Sequence, residues 1–217
     1  MHPYPGTLII FEGPEGGGKS TQSKMVAAWL ESEGREVLHT HEPGGGNPEI
    51  REYIMGLNST MPNVADIELG LFSMDRTAHY VGRIIPALKD GAVVVCDRGP
   101  LSTLAYQGYA RNPGNTKYWQ LIRDMNQLAT QGVFADLTIV LDIPTHIGLA
   151  RVPEEKRYRF EKEGPDFHNR VRHGFLEEAQ RDDSIIVLDA RRTKETVFRH
   201  IRKVIERVIP EKIRPCA

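Results

Sequence analysis

An eight-residue string near the N-terminus constrains the fold more than any other part of this chain. It reads Gly13-Pro14-Glu15-Gly16-Gly17-Gly18-Lys19-Ser20 and matches the pattern G-x-x-x-x-G-K-[ST] at every fixed position. It follows an apolar run, Leu8 to Phe11, and precedes a segment in which Met25, Ala28 and Trp29 have helical spacing. The chain is therefore predicted to pass from a buried strand through a tight turn into a helix.

This turn has the composition of a phosphate-binding loop. Glycines let successive backbone N–H groups converge on a phosphate, and the N-terminus of the following helix adds partial positive charge. Lys19 is placed to reach the outer phosphates of a nucleoside triphosphate, and the Ser20 hydroxyl to ligate Mg²⁺. A glycine-rich turn with an accidental Lys-Ser pair is the alternative, and the flanking strand and helix argue against it. The candidate nucleotide-binding residues here are Gly13, Gly16, Gly17, Gly18, Lys19, Ser20 and Thr21.

Short apolar, β-branched runs with the length of strands recur along the chain. Their continuous apolarity favours strands buried on both faces, as in a parallel sheet. Segments with helical spacing separate them, which predicts an α/β domain with a five-stranded parallel sheet and helices on both faces. The predicted strands are Thr7 to Phe11, Val37 to His39, Ala92 to Cys96, Leu137 to Leu141 and Ile185 to Leu188.

Composition limits the class of protein and its partners. A chain of 217 residues, 40% of them hydrophobic, can bury a full core as one domain, 1–217, without disulfides. Its two cysteines, Cys96 and Cys216, fit a reducing, cytoplasmic compartment rather than a secreted disulfide framework. With 28 Lys and Arg against 29 Asp and Glu, no basic field favours nucleic acid, and no apolar run approaches the roughly 18 residues of a membrane helix. We therefore expect small-molecule partners, with neither nucleic acid nor membrane among them.

The pair Asp97-Arg98, at the end of the third predicted strand, separates the reaction classes that share such a loop. Asp97 can help hold Mg²⁺, directly or through water. A hydrolase needs a group that orients water, and an arginine stands where such a carboxylate would follow. Arg98 instead suits phosphoryl transfer, because its planar fork grips phosphate and stabilises the transferring charge. The guanine-reading string N-K-x-D does not occur in the sequence, which favours ATP as the donor.

Several further strings occur in order along the chain and together resemble those of the thymidylate kinase family. They are Phe11-Glu12-Gly13, Glu42-Pro43-Gly44-Gly45, Leu71-Phe72-Ser73-Met74-Asp75-Arg76, Asp97-Arg98, Ser102-Thr103-Leu104-Ala105-Tyr106-Gln107-Gly108 and Arg159-Phe160-Glu161. The resemblance extends from Leu8 to Val208. It implies a P-loop kinase fold with a mobile lid, transfer of the γ-phosphoryl group of ATP to dTMP, Mg²⁺ as cofactor and a homodimer.

The resemblance also implies which side chains meet the acceptor base. Phe72 would stack on thymine, and Arg76, four residues later on the same helix face, would donate to a base carbonyl or to the acceptor phosphate. Ser102 and Gln107 would lie near the base. The alternatives are plain core packing for Phe72 and a surface position for Arg76.

The sugar and phosphate of the acceptor are assigned in the same way. Glu15 would accept a hydrogen bond from the 3′-hydroxyl, and Tyr106 would pack on the deoxyribose and exclude a 2′-hydroxyl. Arg98 and Arg51 would meet the phosphate. The implied substrate-binding residues are Glu15, Pro43, Arg51, Phe72, Arg76, Arg98, Ser102, Tyr106 and Gln107.

The charged segment Glu154 to Glu163 resembles the family's lid, placed at about residues 152–164. Because residues 14–16 of the phosphate-binding loop contain no arginine, the resemblance implies that the lid supplies the catalytic cation. Arg157 is the first choice, followed by Arg159 and Lys156. The candidate catalytic residues are Lys19, Arg98, Arg157 and Arg159, and the metal ligands Ser20 and Asp97.

The adenine end of the donor site lies at the start of the lid. Arg151 resembles the residue that stacks on adenine, with Asp189-Ala190-Arg191 on the opposite side of the base. Arg151 and Ala190 complete the candidate ATP-binding residues.

Three positions depart from the family pattern. His41 replaces the common arginine before Glu-Pro-Gly-Gly, Gly46 replaces a threonine, and Gly99-Pro100 replaces an aromatic residue or histidine. The altered pocket wall leaves dUMP or another deoxynucleoside monophosphate open as the acceptor. The loss of a permanent charge at His41 leaves open a nucleotide-binding regulatory protein with weak catalysis.

Overall fold

The computed structural model describes residues 2–58, 60–156 and 159–208. At its centre is a sheet of five parallel strands, as the apolar runs predicted. The order of the strands across the sheet, which was not predicted, is β2-β3-β1-β4-β5. The strands are β1 (Thr7–Glu12), β2 (Val37–His41), β3 (Val93–Asp97), β4 (Leu137–Asp142) and β5 (Ile185–Asp189).

Each strand continues past the carboxyl end of its apolar run. The predicted ends at Phe11 and Cys96 are wrong by one residue, because β1 and β3 continue through Glu12 and Asp97. Backbone pairing does not require an apolar side chain, and His41 of β2 still pairs in register with Asp97. Polar side chains are thereby brought to the carboxyl edge of the sheet, where α/β proteins bind ligands.

Side chains of the central strand β1 alternate between two layers of core. Ile9 and Phe11 pack into the cluster formed with the first and last helices of the chain. Leu8 and Ile10 pack on the opposite face, in a cluster that contains Tyr80. All four of these strand residues are buried, which explains why the run is apolar without alternation.

Helices cover both faces of the sheet. Within the described parts of the chain, none is long and apolar enough to cross a membrane. The helices are α1 (Lys19–Ser32), α2 (Pro48–Gly56), α3 (Val64–His79), α4 (Ile85–Lys89), α5 (Pro100–Thr103), α6 (Thr116–Ala129), α7 (Thr145–Ala150), α8 (Pro165–Ala179) and α9 (Lys194–Val208).

Two segments of π-helix, which the sequence did not predict, adjoin these helices. Tyr80–Ile84 connects α3 to α4, and Leu104–Ala110 continues α5. The second segment contains Tyr106 and Gln107, and all seven of its residues are buried. Such wide turns are frequent at functional sites, and this one lies beside the carboxyl edge of the sheet.

Candidate active site

One cavity of about 690 Å³ lies at the carboxyl edge of the sheet. It brings together most of the side chains that the sequence singled out. Those on its wall are Glu15, Gly16, Gly18, Lys19, Ser20, Thr21, Pro43, Arg51, Phe72, Arg76, Asp97, Arg98, Ser102, Tyr106, Gln107 and Arg151. Of the other candidates, Gly13, Gly17, Arg159 and Ala190 do not line it, and Arg157 lies outside the described residues.

The phosphate-binding loop, residues 13–20, adopts a backbone that requires glycine. Gly16 has φ +71°, and a Cβ there would lie 1.9 Å from the carbonyl oxygen of Gly148 in α7. Gly18, with φ +88°, immediately precedes α1, so the free N–H groups of that helix begin at the loop. The loop therefore presents a helix N-terminus to the cavity, the arrangement that binds phosphate.

Lys19 is buried beneath the loop, with 6% of its surface exposed. Its Nζ donates to the carbonyl oxygens of Gly13 at 2.9 Å and Pro14 at 2.8 Å. Burial and the nearby charge of Arg98 lower the pKa of Lys19 to about 8, although Glu15 and Asp97 partly offset them. The lysine thus has only weak neutral acceptors, and a polyphosphate would be a stronger partner for its charge.

Ser20 and Asp97 meet at the mouth of the loop. The Ser20 hydroxyl donates to Asp97 Oδ2, while Asp97 Oδ1 is buried and has no hydrogen-bond partner among the described residues. A buried carboxylate oxygen without a partner is costly unless a ligand satisfies it. Oxygen ligands of this kind suit Mg²⁺, which binds through one or two protein groups and keeps water and phosphate as its other ligands.

Arg98 is the centre of a charged cluster that joins Glu15 of the loop to Ser102 and Tyr106 on the cavity wall. Its guanidinium donates to Glu15 at 2.6 Å, to Ser102 at 3.2 Å and to the Tyr106 hydroxyl at 3.4 Å. Its backbone is left-handed, with φ +72°, which is strained for a residue with a side chain. Burial disfavours the charged guanidinium and lowers its pKa. The negative charge of Glu15 outweighs this effect of burial and raises the pKa of Arg98 well above its usual range.

Glu15 is held ionised by the same cluster. Burial alone would raise its pKa, but Arg98, Lys19 and the hydrogen bond donated by Tyr106 at 2.6 Å lower the pKa to about 2. The carboxylate is thus an acceptor already oriented in the cavity, as a partner for a ligand hydroxyl must be.

Replacing Glu15 with glutamine is expected to destabilise the fold by up to about 3 kcal/mol at pH 7, the value of a pKa lowered from 4.5 to about 2. Because the folded state favours the ionised form, this stabilisation is complete above the unfolded pKa of 4.5 and is lost as the pH falls towards 2. Urea unfolding of both proteins from pH about 7 to about 3.5 should show the difference shrinking. A difference that stays constant with pH would contradict this origin.

Glu12 is a site residue to which the sequence gave no role. It is fully buried, and Oε1 accepts from the backbone N–H groups of Gly99 at 2.9 Å and Ser102 at 3.0 Å. The Ser102 hydroxyl donates to Oε2. Burial raises the pKa of Glu12 to about 7, against the lowering effect of Ser102 and Arg98. This carboxylate fixes the segment that carries Arg98. Its signal in the sequence is a polar residue directly after an apolar run.

The end of the cavity where the resemblance predicts a base is built on α3. Arg76 is buried, with its NH2 group 2.8 Å from Glu42 Oε2, and it donates from NH1 to Thr103 at 3.0 Å and Asn126 at 2.6 Å. Arg76 is therefore not at the surface, and its guanidinium is held on the cavity wall by residues from three other segments. Phe72 is half-buried on the same wall.

A second wall is formed by the Glu42-Pro43 segment, whose peptide bond is cis. Arg51 donates to the Pro43 carbonyl at 3.1 Å and lines the cavity. His41 lies beside them; burial and Arg51 lower its pKa, so the neutral imidazole is favoured. The position that departs from the family pattern therefore supplies no permanent charge.

Arg151 lines the cavity beside the phosphate-binding loop and joins it to the segment after the last strand. Its NH1 donates to the Ala190 carbonyl at 2.9 Å and its NH2 to the Arg191 carbonyl at 3.3 Å. The planar guanidinium is thus fixed beside the segment after β5, where the family resemblance predicts the adenine base.

Arg159 has a different environment from that predicted for a lid cation. It is 8% exposed, and its NH1 donates to Glu68 Oε1 at 2.6 Å. Its guanidinium also lies 4.8 Å from the centre of the Phe160 ring. Residues 154–156 form a single turn of 3-10 helix between α7 and this pair. In this structure Arg159 thus joins the segment that follows the 3-10 turn to Glu68 of α3.

Known proteins share this sequence and fold over most of their length. The family model described as thymidylate kinase matches residues 11–201. The chain belongs to the thymidylate kinase family. A thymidylate kinase from Maridesulfovibrio salexigens is 41% identical over 93% of this chain and 96% of its own. Another from Carboxydothermus hydrogenoformans is 40% identical over 93% and 97%.

A solved structure supports the same assignment of fold. The crystal structure of thymidylate kinase from Ehrlichia chaffeensis has a TM-score of 0.74 and 28% identity, covering 92% of this chain and 98% of that one. Membership of the thymidylate kinase family thus extends over the strands, the phosphate-binding loop and the cavity.

Proposed function

We propose that this protein transfers the γ-phosphoryl group of ATP to dTMP, giving dTDP and ADP. The single observation that carries the proposal is the cavity, which joins a phosphate-binding loop to a second pocket walled by Phe72, Arg76 and Tyr106. Arg98 lies between the two and lines the same cavity. The relatives named thymidylate kinase support dTMP over other acceptors, and the joined pockets favour a kinase over a regulatory binding protein.

Catalysis in this scheme comes from positioning and charge, with no covalent enzyme intermediate. The loop and Lys19 hold the β- and γ-phosphates, and Arg98 neutralises charge on the acceptor phosphate and on the group in transit. Because Arg98 is fixed by Glu15 and Glu12 without substrate, little reorganisation is needed at the moment of transfer.

Ser20 and Asp97 would hold Mg²⁺. The unpartnered Asp97 Oδ1 is the observation that fits this ion to the site. When bound, Mg²⁺ neutralises negative charge on the phosphates of the donor.

Acceptor recognition follows from the side chains on the second pocket. Phe72 offers a face for the base, a contact worth roughly 1–3 kcal/mol by analogy with other base stacking. Glu15 accepts from the 3′-hydroxyl. Tyr106, fixed by its hydrogen bond to Glu15, packs on the deoxyribose and excludes a 2′-hydroxyl.

Residues 152–164 act as a lid over the phosphates, with Arg157 as its catalytic cation. Arg157→Ala is expected to lower the turnover number on the order of 100-fold with nearly unchanged dTMP affinity, because the lid acts mainly on the transition state. Steady-state kinetics and calorimetric titration with dTMP measure the two effects. Lys162→Ala, which removes an exposed cation of the same segment, is the control. A loss of dTMP affinity alone would show that Arg157 has another role.

The proposed reaction is tested by comparing dTMP, dUMP, dCMP and dGMP as acceptors with ATP and Mg²⁺. ADP release should require an acceptor and be fastest with dTMP. Preference for another monophosphate would assign a different acceptor, release without any acceptor would indicate an ATPase, and no release at all would favour a regulatory protein.

We also propose that the protein is a cytoplasmic homodimer. Exposed apolar side chains lie seven residues apart, and hence on one face, on two helical stretches that pack together: Met74 and Val81, and Leu121 and Leu128. Light scattering in solution tests the dimer.

A further inference from the structure

The hydroxyl group of Ser102 lies between a buried carboxylate and the guanidinium of Arg98. It donates to Glu12 Oε2, and its oxygen accepts from Arg98 NH1 at 3.2 Å. Glu12 has no exposed surface and does not line the cavity, whereas Ser102 and Arg98 do. A chain of two hydrogen bonds therefore connects a carboxylate behind the cavity wall to the cation at the centre of the charged cluster.

Glu12 sets the direction of both bonds in this chain. Its other oxygen, Oε1, accepts from the backbone N–H groups of Gly99 and Ser102, so Oε2 is the oxygen that meets the hydroxyl. An ionised carboxylate can only accept, and a hydroxyl has a single hydrogen. With that hydrogen directed to Glu12, the Ser102 oxygen presents only lone pairs to Arg98.

The bond to Ser102 fixes one arm of a guanidinium that is held at two points. NH1 donates to Ser102, while NH2 donates to Glu15 at 2.6 Å. One bond alone would allow the planar group to turn about it, whereas two bonds from different nitrogens fix its plane. The orientation of the Arg98 guanidinium therefore depends on the direction of the Ser102 hydroxyl.

We infer that Glu12 is a positioning residue for phosphoryl transfer, which keeps the Ser102 hydroxyl turned away from Arg98 and so fixes the plane of its guanidinium. The inference rests on the proposed function, in which Arg98 meets the acceptor phosphate. A hydrogen on the atom at Oε2 would reverse the chain, because Ser102 would then accept from Glu12 and turn its own hydrogen towards a guanidinium that has no acceptor. Arg98 would lose a partner and its plane would be free to turn.

Glu12→Gln tests the direction of the chain with little change of shape. The glutamine carbonyl still accepts from the two backbone N–H groups, but an NH₂ group replaces Oε2 and donates to Ser102. At pH about 8, kcat/KM for dTMP should fall about 50-fold, the effect of losing a hydrogen bond made by a charged group. The KM for ATP should change by less than about twofold, because the bonds between Lys19 and its loop are untouched.

Removing the hydroxyl from the glutamine variant separates this role from a structural one. Ser102→Ala alone should lower kcat/KM for dTMP about fivefold, since Arg98 loses an acceptor but meets no misdirected hydrogen. The double variant Glu12→Gln/Ser102→Ala should match Ser102→Ala and so be about tenfold faster than Glu12→Gln. If Glu12 served only to support the fold, the second substitution would not restore activity.

Lowering the pH protonates Glu12 without substituting it, and provides the second measurement if Glu12→Gln does not fold. Burial raises the pKa of Glu12 to about 7, so the carboxyl group is ionised above that pH and protonated below it. The ratio of kcat/KM for the wild type to that for Ser102→Ala should fall from about five at pH about 8 to about one or less at pH about 6.

This ratio isolates Glu12 from the other groups that titrate near it. Those groups are present in both enzymes, as is the acceptor phosphate, so their own titration cancels. Only a group that acts through the Ser102 hydroxyl changes the ratio. The charged and titratable side chains around Glu12 are Lys19 of α1, Arg76 of α3, Tyr80, Cys96 of β3 and Arg98.

Glu178→Gln is the matched control. Glu178 also accepts from a hydroxyl, that of Tyr109 at 2.7 Å, and from a guanidinium, that of Arg123 at 2.7 Å, but it does not line the cavity. Its substitution should leave kcat/KM for dTMP unchanged. Thermal melting shows whether each variant is folded.

Several outcomes would overturn the inference. A folded Glu12→Gln variant within about twofold of the wild type removes the positioning role. A double variant no faster than Glu12→Gln, or a ratio that stays constant with pH, shows that the hydroxyl direction does not matter. An equal loss in Glu178→Gln reduces the effect to general destabilisation. All of these leave turnover of dTMP by the wild type intact, whereas absence of that turnover is failure of the proposed function itself.

Discussion

Replacing Lys19 with alanine is expected to lower the turnover number on the order of 100- to 1,000-fold. The ammonium group is buried and held by two carbonyl oxygens of its own loop, so it is already in place when the triphosphate arrives. Among the described residues, no other lysine or arginine donates to these two carbonyl oxygens. Single-turnover measurements with saturating ATP and dTMP report the chemical step directly.

Two comparisons separate this effect from a general loss of structure. Lys203→Ala removes an exposed lysine of α9, away from the cavity, and should leave the rate unchanged. Thermal melting shows whether the Lys19 variant is folded. A folded variant with a rate loss under about fivefold would contradict the assignment of Lys19 to the phosphates.

Replacing Arg98 with alanine is expected to reduce kcat/KM for dTMP on the order of 1,000-fold. The substitution removes the charge that the proposed mechanism places between the two nucleotides, and it leaves the half-buried carboxylate of Glu15 without its main partner. Both the affinity for dTMP and the turnover number should fall, because the proposed mechanism places Arg98 at the acceptor phosphate before and during transfer. Initial rates over a range of dTMP concentrations give the two parameters separately.

The backbone of Arg98 offers an internal control. At φ +72° the backbone of glycine is unstrained, whereas that of alanine is strained. Arg98→Gly should therefore be more stable to unfolding than Arg98→Ala by about 1 kcal/mol. The two variants should have the same reduced kcat/KM. Arg98→Lys keeps a positive charge but loses the planar fork, and should recover only part of the rate. Full activity in the lysine variant would mean that charge alone is sufficient at this position.

The fold was largely predictable because its signals are local. The apolar run Leu8 to Phe11 predicted a buried strand, and β1 is buried throughout. The strand ends were less predictable, since the backbone ladder continues through Glu12 and Asp97 whatever their polarity. The π-helical segment containing Tyr106 was not predictable, because buried contacts with α8, α6 and α3 stabilise it rather than its own residues.

The candidate site was likewise predictable where its residues are neighbours in the sequence, and not where they are far apart. The phosphate-binding loop is contiguous, so spacing alone predicted Lys19 and Ser20. The carboxylates that fix the pocket are recognisable only from partners far along the chain: Glu12 holds Ser102, and Glu68 holds Arg159, 91 residues away. For this reason the sequence did not predict that Arg76 pairs with Glu42 or that Arg159 pairs with Glu68.

The contact between Gly16 and Gly148 makes two distant positions depend on one another. A Cβ at Gly148 would lie 2.2 Å from the Glu15 carbonyl oxygen, just as one at Gly16 would meet the Gly148 carbonyl. Main chain touches main chain on both sides, so no smaller side chain elsewhere can make room. In a library randomised at both codons, selection for growth should return glycine at the two together, and survivors that differ at only one should be rare.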